Sequence, residues 1–409
     1  MNCRHCDSPL SLTLADLGSA PPSNAYLTRD KLQSPEKWYP LHVMVCGKCW
    51  LVQTQDFTQA ADLFDADYAY FSSYSSSWLT HAKHYVETMA ARFRLSSQSH
   101  VVEVASNDGY LLQYVQAKMI PCTGIEPTAS TAAAARAKGI ETIESFFGVQ
   151  LARKLVTQGK QADLTAANNV LAHVPDINDF VAGFATLLKP YGVATFEFPH
   201  LLQLIAGNQF DTIYHEHFSY LSLTAVRSIF SANGLTIFDV EEHGTHGGSL
   251  RVFAQRTDTG RHPRSAAVDG LLQREAQAGM TTSAYYAGFQ GKTNKVKDDF
   301  LAFLLDAKRQ GKTVAAYGAA AKGNTLINYA GIRPDLISFV VDRNPAKQGK
   351  FMPGSRISIV AESRLKEAQP DYIIILPWNL KMEVKQQLSY IRKWDGKFVT
   401  AVPQLEVTP

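Results

Sequence analysis

An alternation of short apolar strands with helical segments occurs twice along the chain, and it constrains the fold more than any other feature. The first run extends from SHVVEVAS to FEFPHL, and the second begins at GKTVAAY and ends near PDYIIILPWN. Strands that alternate with helices at short intervals pair in parallel, so each run predicts a mostly parallel sheet covered by helices on both faces. We therefore expect an α/β fold with two Rossmann-like sheets.

The length of the chain and the positions of the two runs suggest three domains. With 409 residues, of which 45% are apolar, the chain is too long for one hydrophobic core and apolar enough to fill two or three. The predicted domains are an N-terminal domain over 1-75, a middle domain over 76-260 and a C-terminal domain over 261-409. A helix is expected near 223–233, and the span from about 265 to 312 is typical of a long helix.

The distribution of charge argues against nucleic acid as a partner. The formal net charge is only +3 and the Lys and Arg residues are scattered, whereas a phosphate backbone calls for a concentrated basic face. No stretch approaches about 18 consecutive apolar residues, and the N-terminus MNCRHCDSPL lacks the apolar core of a signal peptide. We expect a cytoplasmic protein with no membrane partner, and a monomer, because three domains can cover one another.

The cysteines of the chain point to a metal site. Disulfides are rare in the reducing cytoplasm, which leaves metal binding, catalysis or packing. Cys3-x-x-Cys6 and Cys46-Gly-Lys-Cys49 have the spacing of a zinc ribbon. Four thiolates complete the tetrahedral shell that Zn²⁺ prefers, and Gly47 is expected to let the second pair turn tightly. Because protein fills the whole shell, the zinc ion should be structural.

The first α/β run carries a turn that suits a nucleoside ligand. A small-residue turn that ends at Gly109 follows the first strand, and Glu126 ends the next strand. Such a turn lets a ligand approach the backbone, and the acidic residue can accept hydrogen bonds from both ribose hydroxyls. A dinucleotide pyrophosphate needs further glycines, whereas S-adenosylmethionine (SAM) has no phosphate and tolerates Ala105 and Asn107 there. The turn favours SAM over NAD, with a generic strand-to-helix turn as the alternative.

The second α/β run repeats this arrangement with an added positive charge. Gly318, Lys322 and Gly323 follow its first strand, and Asp342 ends the next strand. A cation near a helix start suits a phosphate or diphosphate. Two such sites imply two nucleotide-bearing ligands, and the alternative is a degenerate Rossmann domain kept for structure.

The stretch DTIYHEHFSY, residues 211–220, concentrates histidine, glutamate and tyrosine. It is weak as a metal site, because Glu216 would point away from two histidines on one strand face, and H-E-x-x-H is absent. As part of a hydrophobic core the stretch would cost free energy, because buried histidines and a buried carboxylate need hydrogen-bond partners. Acid–base chemistry remains, since histidine can take a proton from carbon beside a carbonyl while a tyrosine or second histidine donates to the enolate oxygen. His173 lies in the loop after a sheet strand, where it either faces the predicted SAM pocket or is a surface loop histidine.

An ordered set of motifs resembles the sugar C-methyltransferases that methylate carbon 3 of nucleotide-linked 4-keto-6-deoxyhexoses. The set spans nearly the whole chain and comprises the two Cys-x-x-Cys pairs, YAYFSSYS, EVASNDGYLL, GIEPT, NNVLAHVPD, FEFPHL, YHEHFSYLSL, GGSLR, AAYGAAAKGNTLIN and DRNPAKQGKFMPG. The resemblance implies an N-terminal zinc-binding domain that helps to cover the sugar. It further implies a SAM-dependent methyltransferase sheet in the middle domain and a C-terminal Rossmann-like domain that holds the nucleotide diphosphate.

The resemblance also implies roles for residues at matching positions. His217 would be the base that removes the C3 proton, which the C4 ketone acidifies. The residues expected to surround the sugar, orienting the base or stabilising the enolate, are Tyr214, Glu216, His173 and Tyr68. Those expected to line the SAM pocket are Glu103, Asn107, Gly109, Asn169 and Glu126, with Glu126 on the ribose. Those expected around the nucleotide are Tyr317, Lys322, Asp342, Gln348 and Pro353.

The sequence leaves alternatives open for the nucleotide and for the reaction. As sugar carrier dTDP is favoured over GDP, although no residue distinguishes thymine from guanine. A zinc-ribbon methyltransferase acting on nucleic acid or another small molecule is the chief alternative. An NAD-dependent oxidoreductase and a zinc-stabilised binding protein without turnover are two others.

The conformation of residues 214–217 decides whether the sugar assignments are compatible. In an extended strand Tyr214 and Glu216 share one face and His217 takes the other. Only a turn or a helix brings Tyr214 and His217 together.

Overall fold

Three β-sheets, of four, seven and six strands, organise the computed structural model, which describes residues 1–57 and 71–409. The predicted sugar-site residue Tyr68 lies outside these described residues, as does part of the motif YAYFSSYS. Among the described residues, no helix is both long and apolar enough to cross a membrane.

The N-terminal sheet takes its fourth strand from the middle of the chain. Its strands are β1 (Leu12–Ala20), β2 (Tyr39–Val45), β3 (Val52–Thr54) and β9 (Ser219–Tyr220). They pair antiparallel in that order, with Val52 opposite Tyr220. Because β9 follows DTIYHEHF directly, this sheet anchors the histidine-rich segment.

The middle sheet is the mixed, mainly parallel sheet that the first α/β run predicts. Its strands are β4 (Val101–Val104), β5 (Cys122–Ile125), β6 (Thr142–Ile143), β7 (Ala162–Asn168), β8 (Leu188–Pro199), β10 (Leu235–His243) and β11 (Ser249–Arg256). The order is β10-β11-β8-β7-β4-β5-β6, in which β4 to β8 are parallel and the edge pair β10 and β11 is antiparallel. The turns that follow β4, β5 and β7 therefore meet at one edge of the sheet.

Helices cover both faces of the middle sheet. They are α1 (Ser76–Arg92), α2 (Leu112–Ala117), α3 (Ala129–Ala137), α4 (Val149–Thr157), α5 (Ile177–Leu187) and α7 (Leu223–Ala232). The intervening α6 (Leu201–Ala206) instead packs in the core shared by the N-terminal and C-terminal sheets. Side-chain caps fix three of the starts: Ser75, Asp176 and Ser222 each accept a hydrogen bond from a backbone N–H in the first turn. The helix expected near 223–233 is confirmed as α7.

The C-terminal sheet is also mainly parallel. Its strands are β12 (Val314–Tyr317), β13 (Val340–Val341), β14 (Ile359–Val360), β15 (Tyr372–Ile375), β16 (Lys397–Thr400) and β17 (Glu406–Thr408), in the order β14-β13-β12-β15-β16-β17. Only β17 is antiparallel to its neighbour. The strand order reverses direction between β12 and β15, which is where open α/β sheets bind ligands.

The helices of the C-terminal part correct one prediction. They are α8 (Ala266–Ala278), α9 (Ser283–Ala287), α10 (Phe289–Arg309), α11 (Ala321–Tyr329), α12 (Ser363–Ala368) and α13 (Lys381–Gln387). The single long helix expected from about 265 to 312 is wrong, because α8 ends at Gly279, whose left-handed backbone (φ 93°) closes the helix.

The N-terminal sheet packs between the other two parts. Leu14 and Val43 share a buried apolar core with Val314 and Ile374 of the C-terminal sheet, while Cys46 belongs to the core beneath the middle sheet. Leu27 pairs with Phe351 through a β-bridge, and the guanidinium of Arg356 donates to Glu36 at 2.9 Å. The edges of the two Rossmann-like sheets are thereby held on either side of the histidine-rich segment.

Candidate active site

The four N-terminal cysteines meet at one point. Their sulfur atoms all lie within 4.8 Å of one another, at 3.5 Å for Cys3 and Cys49 and 3.5 Å for Cys6 and Cys46. Four sulfurs at about 2.3 Å from a tetrahedral ion stand about 3.8 Å apart, so the cluster fits Zn²⁺. With four protein ligands, such an ion has a structural role.

Both cysteine knuckles close with a residue in the left-handed conformation. Asp7 (φ 57°) follows the first pair and Trp50 (φ 62°) follows the second. The backbone N–H groups of Lys48 and Cys49 point at the Cys46 sulfur at 3.4 and 3.5 Å. Gly47 has no positive φ, and a Cβ there would meet no atom within 4 Å, so the tight turn of the second pair does not depend on the conformational freedom of glycine.

The turn after β4 combines left-handed backbone with close packing. Ala105 (φ 59°), Asn107 (φ 49°) and Gly109 (φ 76°) are all left-handed, a conformation that costs energy for residues other than glycine and clusters at ligand sites. A Cβ at Gly109 would overlap Ile140, and one at Gly124 on β5 would overlap Ser106. The small residues therefore let this turn lie directly against β5.

Glu126 joins this turn to the loop after β5. Its carboxylate accepts the backbone N–H of Asn107 at 2.9 Å and that of Thr128 at 2.9 Å. Burial raises the pKa of Glu126, and these two N–H groups oppose the rise. Each carboxylate oxygen offers a second lone pair, which leaves acceptors for ribose hydroxyls. The geometry is compatible with the ribose role, which stays a prediction.

The remaining residues predicted for the SAM pocket lie around the ends of β4 and β7. Glu103 is fully buried on β4, and burial raises its pKa well above the ordinary value. The hydroxyl of Tyr110 accepts from the side-chain amide of Asn168 at 3.3 Å. Glu103 lies within β4, whereas Asn169 (φ 53°) directly follows the last residue of β7.

His246 is a site residue that sequence reasoning missed. It has a left-handed backbone (φ 54°), its Nε2 lies 3.2 Å from the side-chain nitrogen of Asn169, and its ring lies 5.3 Å from that of Trp78. Burial and the charge of Lys322 lower the pKa of His246 to about 4. Two glycines follow it, both with positive φ. That His-Gly-Gly sequence is the feature that could have indicated a strained loop at a ligand site.

A buried ion cluster supports the wall beside Trp78. Glu197, on β8, accepts from His81 at 2.9 Å, from Arg251 at 2.6 Å and from the Thr245 hydroxyl at 3.1 Å. Burial raises the pKa of Glu197, but His81 and Arg251 lower it to about 2. The His81 ring stacks on Trp78 at 5.0 Å. The cluster thus fixes α1, which carries both residues, over the edge of the middle sheet.

Residues 214–217 form a turn, so Tyr214 and His217 come together. The backbone N–H of His217 donates to the carbonyl of Tyr214 at 2.9 Å, and the two rings lie 3.9 Å apart. The Nδ1 atom of His217 lies 2.9 Å from the carbonyl oxygen of Thr212. Because a carbonyl only accepts, Nδ1 carries the proton and Nε2 of the neutral ring is an acceptor.

The second predicted histidine lies beside the first. The ring of His173 is 4.6 Å from that of His217 in an edge-on arrangement. Burial lowers the pKa of His217 well below its ordinary value, and neighbouring His173 lowers it further. Burial likewise lowers the pKa of His173 to about 4, although a hydrogen bond with the backbone of Glu216 opposes the decrease. Both rings are therefore neutral at physiological pH.

The other two residues of the HEH sequence face the N-terminal domain. Both carboxylate oxygens of Glu216 accept from the side-chain amide of Asn24, at 2.7 and 2.9 Å. The Nε2 atom of His215 lies 3.1 Å from the carbonyl of Tyr39, so its ring belongs to the interface with β2. His215 and His217 thus point to different surroundings.

Asp342 in the C-terminal sheet repeats the arrangement of Glu126. Its carboxylate accepts the backbone N–H of Ala319 at 2.8 Å and that of Asn344 at 2.8 Å. Gly318 (φ 87°) has no room for a Cβ, which would overlap Pro377. The turn after β12 is therefore held between the loops that follow β13 and β15.

Lys322 faces the middle domain across this turn. Its amine donates to the side-chain oxygen of Asn379 at 2.7 Å and lies 4.7 Å from the ring centroid of Trp378. The indole N–H of Trp378 donates to Asp211 at 2.8 Å. Burial raises the pKa of Asp211 to about 6, and Lys322 opposes the rise. The charge of Lys322 also lowers the pKa of His217, so the two predicted sites share one electrostatic environment.

The other residues predicted around the nucleotide do not gather at Lys322. The Tyr317 hydroxyl donates to Gln387 at 3.1 Å, in a separate apolar cluster of the C-terminal part. Gln348 donates to the carbonyl of Asp342 at 2.9 Å. The carbonyl of Pro353 accepts from the Asn328 side chain at 3.1 Å. The structure brings Gln348 to Asp342, and burial together with the charge of Asp342 raises the pKa of Tyr317, whereas Pro353 contacts Asn328.

Three protein-family models match successive parts of the chain. Residues 3–64 match the model described as "Putative zinc binding domain", residues 78–240 match "Methyltransferase domain" and residues 244–403 match "C-methyltransferase C-terminal domain". The chain is 32% identical to C-methyltransferase NovU of Streptomyces niveus over 405 residues, which cover 99% of this chain and 96% of that protein.

Solved structures resemble part of the chain. The PH0226 protein of Pyrococcus horikoshii OT3 is 15% identical, with a TM-score of 0.39, and the match covers 46% of this chain and 95% of that one. The magnesium protoporphyrin IX methyltransferase of Synechocystis PCC 6803 with bound SAM is 16% identical, with a TM-score of 0.33, and the match covers 44% of this chain and 79% of that one.

Proposed function

Because the chain belongs to the family of C-methyltransferases, we propose that it methylates carbon 3 of a nucleotide-linked 4-keto-6-deoxy sugar. SAM is its methyl donor, and its four N-terminal cysteines form a zinc site. The sugar assignment is supported by the ordered motifs of the sequence. The proposed reaction rests on one observation, the hydrogen bond between His217 Nδ1 and the Thr212 carbonyl. Because this bond places the proton on Nδ1, Nε2 can accept a proton.

In the proposed reaction His217 removes the C3 proton of the sugar. The ketone at C4 acidifies this proton, and the electron pair left at C3 delocalises to the C4 oxygen as an enolate. Burial holds the pKa of His217 low, so the ring is neutral and ready to accept a proton at physiological pH. A positioned base of this kind contributes about 10²- to 10⁴-fold to the rate.

The groups around His217 are suited to the enolate that forms. The ring of Tyr214 lies 3.9 Å and that of His173 4.6 Å from the ring of His217, so either can reach a ligand atom that His217 contacts. A hydrogen-bond donor at the enolate oxygen adds a factor of about 10² to 10³. Bound SAM supplies an electrophilic methyl group to C3. Glu216, held by Asn24, ties this turn to the N-terminal domain.

The nucleotide diphosphate is proposed to bind between the C-terminal sheet and the middle domain. Lys322 provides the positive charge, and Asp342 holds the turn from which Lys322 projects. The predicted preference for dTDP over GDP is part of this proposal, as is the division of the chain into domains at residues 75 and 260.

The test is isotope exchange at C3. The protein is incubated in deuterated water with a dTDP-4-keto-2,6-dideoxyhexose, with and without SAM, for wild type, His217→Asn and His215→Asn. We expect methyl gain at C3 with SAM and deuterium uptake there without it. Loss of the base in His217→Asn should slow both by about 10²-fold or more. The neighbouring His215→Asn should change either rate only a few-fold, because His215 faces β2.

Two outcomes would contradict the proposal. Absence of both exchange and methyl gain in wild type with dTDP and GDP sugars, while SAM is bound, would remove the sugar assignment. Equal losses in His217→Asn and His215→Asn would remove the role of His217 as base.

A further inference from the structure

Two residues of the first zinc knuckle that do not bind metal contact the middle domain. Arg4 and His5 stand between the ligands Cys3 and Cys6, and the Arg4 side chain is only 5% exposed. In the second knuckle the intervening residues are Gly47 and Lys48, and both are exposed. Two knuckles with the same ligand spacing therefore differ in what their intervening residues contact.

The Arg4 guanidinium bridges the segments that carry His173 and His217. It donates to the carbonyl of Pro175, two residues after His173, at 3.0 Å, and to the carbonyl of Thr54 at 3.1 Å. It also pairs with Asp56 at 2.8 Å. A guanidinium has five donors in a rigid fork, so it can fix several acceptors in one geometry.

Strand β3 carries this constraint to His217. The Thr54 hydroxyl donates to the carbonyl of His217 at 3.2 Å, and the Thr54 N–H donates to the carbonyl of Phe218 at 3.1 Å. The Phe218 N–H donates to the carbonyl of Ala172 at 2.8 Å, which joins the His217 segment directly to the His173 segment. The Arg4 guanidinium also lies 5.3 Å from the centroid of the Phe218 ring.

His5 secures the knuckle from the other side. Its Nδ1 lies 2.8 Å from the side-chain oxygen of Asn178, whose amide donates to the His5 carbonyl at 2.9 Å. Its Nε2 lies 3.2 Å from the Ser228 hydroxyl on α7. The knuckle is thus fixed to α5 and α7 of the middle domain, which leaves the position of Arg4 closely defined.

We propose that Arg4 is a positioning residue for the His173–His217 pair, so that the zinc knuckle sets the geometry of the proton-transfer site. This inference rests on the proposed role of His217. The knuckle holds Arg4, and Arg4 holds the flanks of both histidines through Pro175 and Thr54. Displacement of a catalytic group by about 1 Å can cost about 10²-fold in rate, so small shifts of this pair are consequential.

The experiment compares Arg4→Gln with Lys48→Gln, which changes the exposed cation between the two ligands of the second knuckle. Zinc content per chain, SAM affinity, kcat, the KM for the sugar and the rate of C3 deuterium exchange are measured. Arg4→Gln should lower kcat and C3 exchange together by about 10- to 100-fold. Zinc content should stay at the wild-type level and SAM affinity within about two-fold. Arg4→Lys, which keeps the charge but not the fork, should recover only part of the loss. Lys48→Gln should match wild type throughout.

A second readout reports on His217 without turnover. Exchange of the imidazole C2 proton, followed by mass spectrometry of the peptide that holds His217, gives the titration and accessibility of that ring. Arg4→Gln should bring the His217 titration closer to that of an ordinary histidine and speed its exchange, while Lys48→Gln should not. An inactive wild type would refute the sugar proposal, whereas this readout would still test the role of Arg4.

The inference would be overturned by either of two results. One is unchanged kcat and unchanged His217 exchange in Arg4→Gln. The other is a loss of activity that follows a matching loss of zinc, which would reduce Arg4 to a residue needed only for metal retention.

Discussion

The two Rossmann-like edges of this protein share one backbone arrangement, although the ligands proposed for them carry opposite charge. In the middle sheet Glu126 accepts the N–H groups of Asn107 and Thr128; in the C-terminal sheet Asp342 accepts those of Ala319 and Asn344. In each case a carboxylate at the end of the second strand holds the turn after the first strand. The arrangement itself therefore does not specify the ligand.

The surroundings of the two turns make the difference. Around the first turn lie the carboxyl groups of Glu103 and Glu126, and burial raises the pKa of both, so this edge offers polar oxygen atoms and no added positive charge from these two residues. At the second, the amine of Lys347 donates to the carbonyl of Ala319 at 2.8 Å, and Lys322 lies in the first turn of the following helix. These two cations fit the anionic diphosphate proposed for this edge. If the proposed ligands are correct, the added side chains and not the shared turn determine which ligand each edge accepts.

Glu126→Gln should give the largest effect and separate the two edges most clearly. The amide keeps one acceptor oxygen and loses the charge, which weakens two charge-assisted hydrogen bonds in the turn. We expect the Kd for SAM to rise about 10²-fold, with the KM for the nucleotide sugar within about two-fold. Calorimetric titration with SAM measures the first value. Glu141→Gln, an exposed carboxylate near the same sheet, is the control and should bind SAM as wild type.

A rise in the sugar KM equal to the rise in the SAM Kd would contradict this independence. It would mean that the turn after β4 also positions the sugar, and the two edges would then form one site.

Asp342→Asn should have the same kind of effect on the other ligand, but a smaller one. Lysines as well as the turn would hold a diphosphate, so the KM for the nucleotide sugar should rise about 10-fold, with SAM affinity unchanged. Steady-state kinetics at saturating SAM measures the change. If Asp342→Asn instead weakens SAM binding, the assignment of ligands to edges is reversed.

Lys322→Gln should produce the smallest change, in pH dependence. His217 must be neutral to act as base, so activity is lost as the pH falls through its pKa. Because burial lowers that pKa, wild-type kcat should stay level below the ordinary histidine value of about 6.5. The charge of Lys322 lowers the pKa of His217 further, so Lys322→Gln should move the acidic limb of kcat to higher pH.

The measurement is a kcat–pH profile at saturating substrates, with the exposed Lys366→Gln as control. At pH 7 kcat of Lys322→Gln should fall less than about 10-fold. If the acidic limb of the Lys322→Gln profile stays at the wild-type pH, Lys322 acts on His217 only through a bound ligand.

The elements that the sequence predicts are those with a local signature. The strand–turn–helix pattern identified both sheets, and the spacing of the cysteines identified the metal cluster, because each depends on residues close together in the chain. Strand β9 has only two residues, and its partner β3 lies more than 160 positions away in sequence, so no local pattern indicates it. Gly279 is a local signal that the helix expected from about 265 to 312 is divided.

The candidate site shows the same division. The motif resemblance named Tyr214, His217 and His173, which the structure brings into contact. It did not name His246 or Asp211, which reach the site from two loops and interact with Lys322 of the C-terminal domain. Such contacts arise from the packing of one domain on another, and the sequence of either loop alone does not contain them.

The insertion of β9 into the N-terminal sheet limits how this protein can be recombined. A chimera that joins the N-terminal residues of one such enzyme to the remainder of another would bring together β3 and β9 from different parents. Val52 and Gln53 must then pair with a foreign Tyr220 and Ser219, immediately after the histidine turn. A mismatch would leave an open strand edge, which favours aggregation. Exchange of substrate specificity by domain shuffling therefore requires that β3 and β9 come from the same parent.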